Sequence, residues 1–132
     1  MVAGGGIALL ALVPAVEEYA ATLEGDERAG AAIAIEACKA PILRIAENAG
    51  ASGRAVIEKL SELPAGMGYD AALDRYVDMF EAGIIDPVRV TRSALEASFS
   101  VAETLLVTEA GITPVKKGEV NLAEAFHVGG AR

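Results

Sequence analysis

Apolar residues recur at helical spacing through residues 27–49 and define a single face. The repeating positions are Ile35, Cys38, Ile42, Ile45 and Ala49. They are separated by steps of 3, 4, 3 and 4 residues, which is the period of a helix that packs on one side and not that of a strand. The pattern therefore predicts a long helix with one buried face, and Pro41 inside it predicts a bend.

Proline also interrupts the helical sequence that precedes this segment. Residues 6–23 are rich in alanine and leucine, but Pro14 lies in their interior. A proline there removes one backbone hydrogen bond and clashes with the carbonyl group one turn earlier. We expect a first helix over residues 6–23 with a kink or a break at residues 10–13, and Asp26 as the N-cap of the second helix.

A short third helix is followed by a change of structure. Ser52 is expected to cap this helix, which ends at Leu60 or Leu63. Between residues 66 and 85, tyrosine and isoleucine residues that favour strands lie among glycines. This segment predicts a small hairpin or an irregular excursion, with a short helical turn at residues 71–76 as a further option.

Asp86 and Pro87 predict the start of the last helix, because aspartate is a good N-cap and proline fits the first helical position. Its expected apolar face consists of Val90, Ala94, Ala97, Val101, Leu105 and Thr108. Residues 112–115 are expected to form an edge strand. The fold predicted from these patterns is mostly α, a helical bundle with a small β-hairpin, in one domain over residues 1–115 with a flexible tail over residues 116–132.

Composition excludes several classes of partner. The formal net charge is −8, and without a basic stripe the chain is not expected to bind nucleic acid. The longest apolar run, residues 7–16, is about half as long as a membrane span and lacks the basic start of a signal peptide. The apolar fraction of 53% is high for a small domain. This excess predicts that part of the surface meets another chain or a missing segment.

The cysteine and histidine content argues against several kinds of site. Cys38 is the only cysteine and His127 the only histidine, so neither a Cys–His or Ser–His–Asp arrangement nor ordinary zinc-ligand spacing is expected. Cys38 lies on the apolar face of the second helix, where we expect a buried and inert thiol. A single cysteine excludes an intramolecular disulfide and fits a reducing, cytoplasmic location.

Three segments could contact a ligand, although each also has an ordinary structural interpretation. Residues 4–6 are successive glycines before a helix, which let a backbone approach a ligand but could also form a flexible terminus or a close packing point. Asp70 could accept a hydrogen bond from an exocyclic amine, or be an exposed turn residue. Ile84 could belong to the core, and Asp86 could be only a helix cap.

The order and separation of these segments are more informative than any one of them. The sequence reads MVAGGG at residues 1–6, GYDAA at residues 68–72, and GIIDP at residues 83–87 followed by VTRSAL. Together they resemble the C-terminal part of the equatorial, ATP-binding domain of a group I chaperonin, the GroEL type. The resemblance runs from residue 2 to about residue 113. In that family the other half of the nucleotide site lies upstream, so the resemblance implies a fragment or a truncated form.

The resemblance implies that this chain carries the nucleoside side of an ATP site. Gly4 and Gly5 would contact the sugar and line the site. Ile84 would form an apolar wall against the adenine. Asp86 would accept hydrogen bonds from the ribose hydroxyl groups, which an ionised carboxylate can do while also capping a helix.

Recognition of the adenine is implied for Asp70 and Ala71. In the family the residue that matches Asp70 is commonly asparagine. An asparagine side chain both donates and accepts hydrogen bonds, whereas an ionised aspartate only accepts. Acceptance from the adenine amine therefore survives the change, and donation to the base does not.

The family hydrolyses ATP with a magnesium ion, which needs one carboxylate that binds the metal and one that positions the attacking water. The resemblance places both upstream, so no catalytic or metal-binding residue is assigned here. It implies a ring-forming, ATP-driven folding machine in which this chain meets other chaperonin subunits. Unfolded polypeptides and a co-chaperonin would bind only the intact parent.

The alternative is a helical fragment that buries its apolar faces against copies of itself. Such a fragment would bind no nucleotide by itself. In either case the isolated chain is expected not to hydrolyse ATP.

Overall fold

The structure, a computed structural model, describes residues 1–111. The contacts divide the chain into one compact unit, Met1–Glu96, and a second that begins at Ala97. The elements in chain order are β1 (Val2–Ala3), α1 (Ile7–Leu10), α2 (Val13–Ala20), α3 (Gly25–Asn48), α4 (Gly53–Ser61), β2 (Met67–Asp70), β3 (Arg75–Asp78), β4 (Ile85–Asp86) and α5 (Val88–Leu106). The prediction of a mostly helical fold with a small β-hairpin is confirmed.

The break predicted in the first helical segment is confirmed. Helix α1 ends at Leu10 and α2 begins at Val13. Pro14 lies in the first turn of α2, where its missing N–H group has no helical partner to lose. The proline therefore starts a new helix instead of bending an existing one.

The apolar face of α3 agrees with the sequence period at its centre but not at its end. Cys38, Ile42 and Ala46 are the buried residues, and the helix continues through Pro41. Ala49, which was expected on the buried face, is exposed. The reason is that α3 ends at Asn48, so Ala49 is the C-cap, whose N–H group donates to the carbonyl of Ala46.

The N-terminus of α3 lies before the predicted cap. Glu24 takes the N-cap position with an extended backbone, and Gly25 begins the helix. Gly25 has a φ of +56°, a conformation that glycine adopts without a Cβ clash. Asp26 is therefore wrong as an N-cap and lies in the first turn, where its charge complements the helix dipole.

Helix α4 begins as predicted, because the Ser52 hydroxyl accepts a hydrogen bond from the Ala55 N–H group at 3.5 Å. A Cβ atom at Gly53 would lie 3.0 Å from the Leu43 carbonyl oxygen, so α4 packs directly on the backbone of α3. The core of the first unit consists of Ile7, Ile42, Ala46, Val56, Leu60, Tyr69 and Met79. Helices α1, α3 and α4 and the hairpin region thus contribute to one core.

Strands β2 and β3 form an antiparallel hairpin in which Tyr69 pairs with Tyr76. The centroids of the two rings are 5.6 Å apart. Residues 71–74 form the connecting turn and Tyr76 lies in β3, so the option of a helical turn over residues 71–76 is wrong. Asp74 closes the hairpin with a φ of +48°, and its Oδ1 accepts a hydrogen bond from the Tyr69 hydroxyl at 2.7 Å.

The start of α5 differs from the prediction. Asp86 belongs to strand β4, where it pairs with Val2, and α5 begins at Val88. The carbonyl of Pro87 accepts the hydrogen bond from the Val90 N–H group at 3.0 Å. Asp86 is therefore not the N-cap, because strand pairing places it before the helix.

The predicted apolar face of α5 is also wrong. No described residue of this helix is buried, and Val90 is 63% exposed. Thr91 and Leu95 are the half-buried positions, and with Val88 and Arg92 they line a cavity of about 220 Å³ against β1 and α1. The period of the sequence predicts that a helix has an apolar stripe, but the position of β1 and α1 decides which stripe is covered.

Several predictions lie outside the described residues. These are the strand at residues 112–115, the tail at residues 116–132, the domain boundary between them, and His127. The end of α5 at Leu106 is three residues short of the predicted end at residue 109. Within residues 1–111, no helix combines the length and the apolar character that crossing a bilayer requires.

Candidate functional site

Pairing of β1 with β4 brings together residues from the two ends of the first unit. Val2 lies opposite Asp86, and Ala3 lies opposite Ile85. The pairing continues one step further, because the Gly4 N–H group donates to the Ile84 carbonyl at 2.9 Å. Three of the predicted ligand contacts, Gly4, Ile84 and Asp86, therefore lie side by side.

Gly4 is buried at the point where its backbone meets β4. A Cβ atom at this position would lie 3.1 Å from the Ile84 carbonyl oxygen and 3.3 Å from Asp86 Cγ. Both separations are tighter than most contacts of real Cβ atoms. A glycine here lets the backbone approach the Asp86 side chain closely.

The next two glycines, Gly5 and Gly6, form the glycine turn, which leads from β1 into α1. Gly5 and Gly6 have φ values of +61° and +81°, which are accessible to glycine at little steric cost. A Cβ atom at Gly6 would lie 2.7 Å from the Ile42 backbone nitrogen, and one at Gly5 would lie 3.1 Å from Met79 Cε. The interpretation of these glycines as a flexible terminus is therefore wrong, and that of a close packing point is confirmed.

The carboxylate of Asp86 is not bound by any of the described residues. Its side chain is half-buried. Among residues 1–111, none donates a hydrogen bond to its carboxylate and none forms an ion pair with it. Since a carboxylate offers several lone pairs as acceptors, Asp86 can accept hydrogen bonds from a ligand.

Asp70 is in a different state, because its carboxylate is used by the hairpin turn. Its Oδ1 accepts hydrogen bonds from the N–H groups of Ala72 at 3.1 Å and Leu73 at 3.2 Å. Its Oδ2 lies 3.8 Å from Arg75 Nε, which is an ion pair but too long for a hydrogen bond. Asp70 is 9% exposed, so it is not an exposed turn residue but the buried last residue of β2, whose carboxylate binds the turn.

The hairpin that carries Asp70 lies beside the glycine turn. The Tyr69 carbonyl oxygen would be 3.9 Å from a Cβ atom at Gly5, and Ala71 is half-buried at the start of the hairpin turn. The backbones that carry the predicted sugar contacts and the predicted base contacts are therefore close together at this point. Asp70 and Ala71 follow Tyr69 directly in the chain.

Sequence reasoning missed Met79, which is fully buried between the glycine turn and the hairpin. A single methionine after a strand has no periodic pattern around it, so the sequence carries no signal for this position.

Within the described part of the chain, no cluster of three or more His, Cys, Asp or Glu side chains could hold a metal ion.

Comparisons with known proteins give the family to which the chain belongs. Residues 1–114 match the model of the TCP-1/cpn60 chaperonin family. The chain is also similar to the open-state monomer of a group II chaperonin from Methanococcoides burtonii, with a TM-score of 0.74 and 27% identity over 81% of this chain. The matched part is 28% of that protein's chain. Because this relative is of group II, the comparisons support the chaperonin family and not the group I type in particular. The protein described here belongs to the TCP-1/cpn60 chaperonin family.

Proposed function

We propose that this chain supplies the nucleoside side of an ATP site, together with equatorial core helices, in a chaperonin that assists protein folding. The observation that carries the proposal is the convergence of Gly4 and Ile84 beside the carboxylate of Asp86, which has no partner among the described residues. Membership of the chaperonin family supports the same conclusion.

Asp86 is proposed to bind the ribose. Hydroxyl groups of the sugar donate hydrogen bonds, and an ionised carboxylate is a strong acceptor. A hydrogen bond to a charged group contributes about 1.5–3 kcal/mol. The buried backbone of Gly4 lies next to Asp86 Cγ, so a sugar held by this carboxylate would pass close to the glycine turn.

Ile84 and Ala71 are proposed to contact the adenine with apolar surface, since both are half-buried. Asp70 has less to offer the base, because its Oδ1 already accepts two hydrogen bonds from the turn. Its Oδ2 retains the capacity to accept from the adenine amine. We therefore infer that the sugar contact contributes more to binding than the base contact.

Magnesium and the phosphate groups are proposed to be held by parts of a chaperonin subunit other than residues 1–114. A bound metal would neutralise charge on the phosphate oxygens and so favour transfer of the γ-phosphoryl group to water. The residues of this chain would bind and orient the nucleoside at the other end of the ligand. The isolated chain is therefore expected to bind ATP weakly and to hydrolyse none.

The properties of the intact parent remain proposals that rest on the resemblance in sequence. They are assembly with other chaperonin subunits in a ring, ATP-driven folding of unfolded polypeptides, a co-chaperonin partner of the group I type, and a cytoplasmic location. The glycine, hairpin and GIIDP segments support the group I type, whereas the solved relative is of group II. Measuring whether the intact subunit binds a co-chaperonin separates the two.

Self-association is the second candidate, and helix α5 favours it. No described residue of α5 is buried. Its strongly exposed apolar side chains include Val90, Phe99, Val101, Leu105 and Leu106. An apolar surface of this kind is typical of an interface, and copies of the chain could cover it without any nucleotide.

Calorimetric titration with Mg-ATP, together with the mass from light scattering in the same buffer, tests both candidates. Binding that Asp86→Ala weakens by about tenfold or more, the equivalent of about 1.4 kcal/mol, would support the nucleoside site. Glu18→Ala is the matched control, because it removes an exposed carboxylate on α2. Absence of binding together with a dimer or larger species would instead support self-association.

A further inference from the structure

Met79 contacts both parts of the candidate site while being inaccessible to a ligand. Its side chain has no exposed surface. A Cβ atom at Gly5 would lie 3.1 Å from Met79 Cε, and one at Gly68 would overlap the Met79 sulfur. The side chain of Met79 therefore fills the space that these two glycines leave beside their backbones, one in the glycine turn and one in strand β2.

The backbone of Met79 continues the same connection. Its N–H group donates to the Gly66 carbonyl at 3.1 Å, and its carbonyl accepts from the Ile84 N–H group at 2.9 Å. The Ile84 carbonyl accepts in turn from the Gly4 N–H group at 2.9 Å. A run of three hydrogen bonds thus joins the residue before β2 to the buried glycine of the candidate site.

We propose that Met79 is a positioning residue for nucleoside binding. Its side chain separates Gly5 from Gly68, and its carbonyl fixes Ile84, so that Gly4, Gly5 and Ile84 keep one relative arrangement. Met79 itself does not touch the ligand. The effect of Met79 on nucleotide affinity rests on the proposed function. Its effect on the arrangement of Gly4, Gly5 and Ile84 does not.

Methionine suits this position because its unbranched side chain adapts to an irregular gap between two backbones. A shorter side chain would leave a cavity under the glycine turn. Since Gly5 and Gly6 have positive φ values and few conformational restraints of their own, the turn would lose order before the helices do. The local effect of a cavity here should therefore exceed its effect on the helical part of the core.

The test compares three variants of the full chain without nucleotide. Met79→Ala creates the cavity, Met79→Leu nearly conserves the volume, and Leu60→Ala creates a cavity in α4 at another position of the same core. Amide hydrogen exchange of Gly4 and Ile84 is measured by NMR. We expect exchange at these two amides to be about tenfold faster or more in Met79→Ala than in Leu60→Ala, with Met79→Leu close to the wild type.

Equal acceleration at all amides in both alanine variants would overturn the proposal, because Met79 would then be an ordinary core residue. The second arm is a Mg-ATP titration of the same proteins. Weaker binding by Met79→Ala than by Leu60→Ala, restored in Met79→Leu, supports a role in nucleotide affinity, and equal binding by the two alanine variants contradicts it. If the wild type binds no ATP, the proposed function and the role in affinity both fail, while the exchange arm still decides the positioning role.

Discussion

Gly4 meets two requirements, one set by the fold and one set by the candidate site. Its N–H group donates to the Ile84 carbonyl, and its missing side chain leaves room for Asp86. The sequence indicated that glycines here allow close approach. It could not show that the approaching group is β4, because that contact depends on strand pairing between residues far apart in the chain.

Gly4→Ala is expected to destabilise the protein by about 1–3 kcal/mol, since the added methyl group overpacks against Ile84 and Asp86. Gly30→Ala is the matched control, because Gly30 lies in α3 and a Cβ atom there would meet nothing within 4 Å. That variant should stabilise the protein by about 0.5–1 kcal/mol through helix propensity. Urea unfolding measures both changes, and equal stability of the two variants would contradict the close approach at Gly4.

The Tyr69 hydroxyl gives the hairpin a dependence on alkaline pH. Its hydrogen bond to Asp74 raises the pKa of Tyr69, because the carboxylate stabilises the neutral phenol and repels the phenolate. A raised folded-state pKa contributes stability that is complete below the unfolded value of about 10 and is lost as the pH rises through the folded value.

The free energy of unfolding should therefore fall more steeply above about pH 10 in the wild type than in Tyr69→Phe, which has no phenol to ionise. Urea unfolding at intervals from neutral to alkaline pH provides the comparison. Parallel curves for the two proteins would show that the hydrogen bond between Tyr69 and Asp74 does not contribute to stability.

Among the elements, α3 was predicted well and α5 poorly, for a physical reason. The apolar face of α3 packs on both α2 and α4, so its sequence period reports a surface that is covered within this chain. Helix α5 has an equally regular apolar stripe, but its covered side is set by the position of β1 and α1. Periodicity identifies a helix, whereas packing partners decide which residues of it are buried.

Cys38 tests the buried face of α3 directly, because it is the only thiol of the chain. It is 3% exposed, and burial raises the pKa of its thiol, so little reactive thiolate forms near neutral pH. We expect a disulfide reagent to modify Cys38 at least about a hundredfold more slowly in the native protein than in denaturant. Equally fast modification in both conditions would mean that this face of α3 is open to solvent.

At the scale of the whole molecule, the family was predictable and the type of chaperonin was not. The segments that carry the resemblance are short and local, so they could be recognised without a structure. The match over residues 1–114 confirms the family, and the solved relative belongs to group II. The sequence also could not show that the Asp70 carboxylate accepts hydrogen bonds from backbone N–H groups, because these bonds depend on the geometry of the hairpin turn.

The central claim is that residues from β1, the glycine turn and β4 form one nucleoside-binding surface. The most direct measurement is an NMR titration of the isotope-labelled full chain with Mg-ATP. The amide signals of Gly4, Gly5 and Ile84 should shift together along a single saturation curve, and Asp86→Ala should move that curve to ATP concentrations about tenfold higher or more. Absence of shifts at these amides, or shifts confined to helices α2 and α4, would contradict the account.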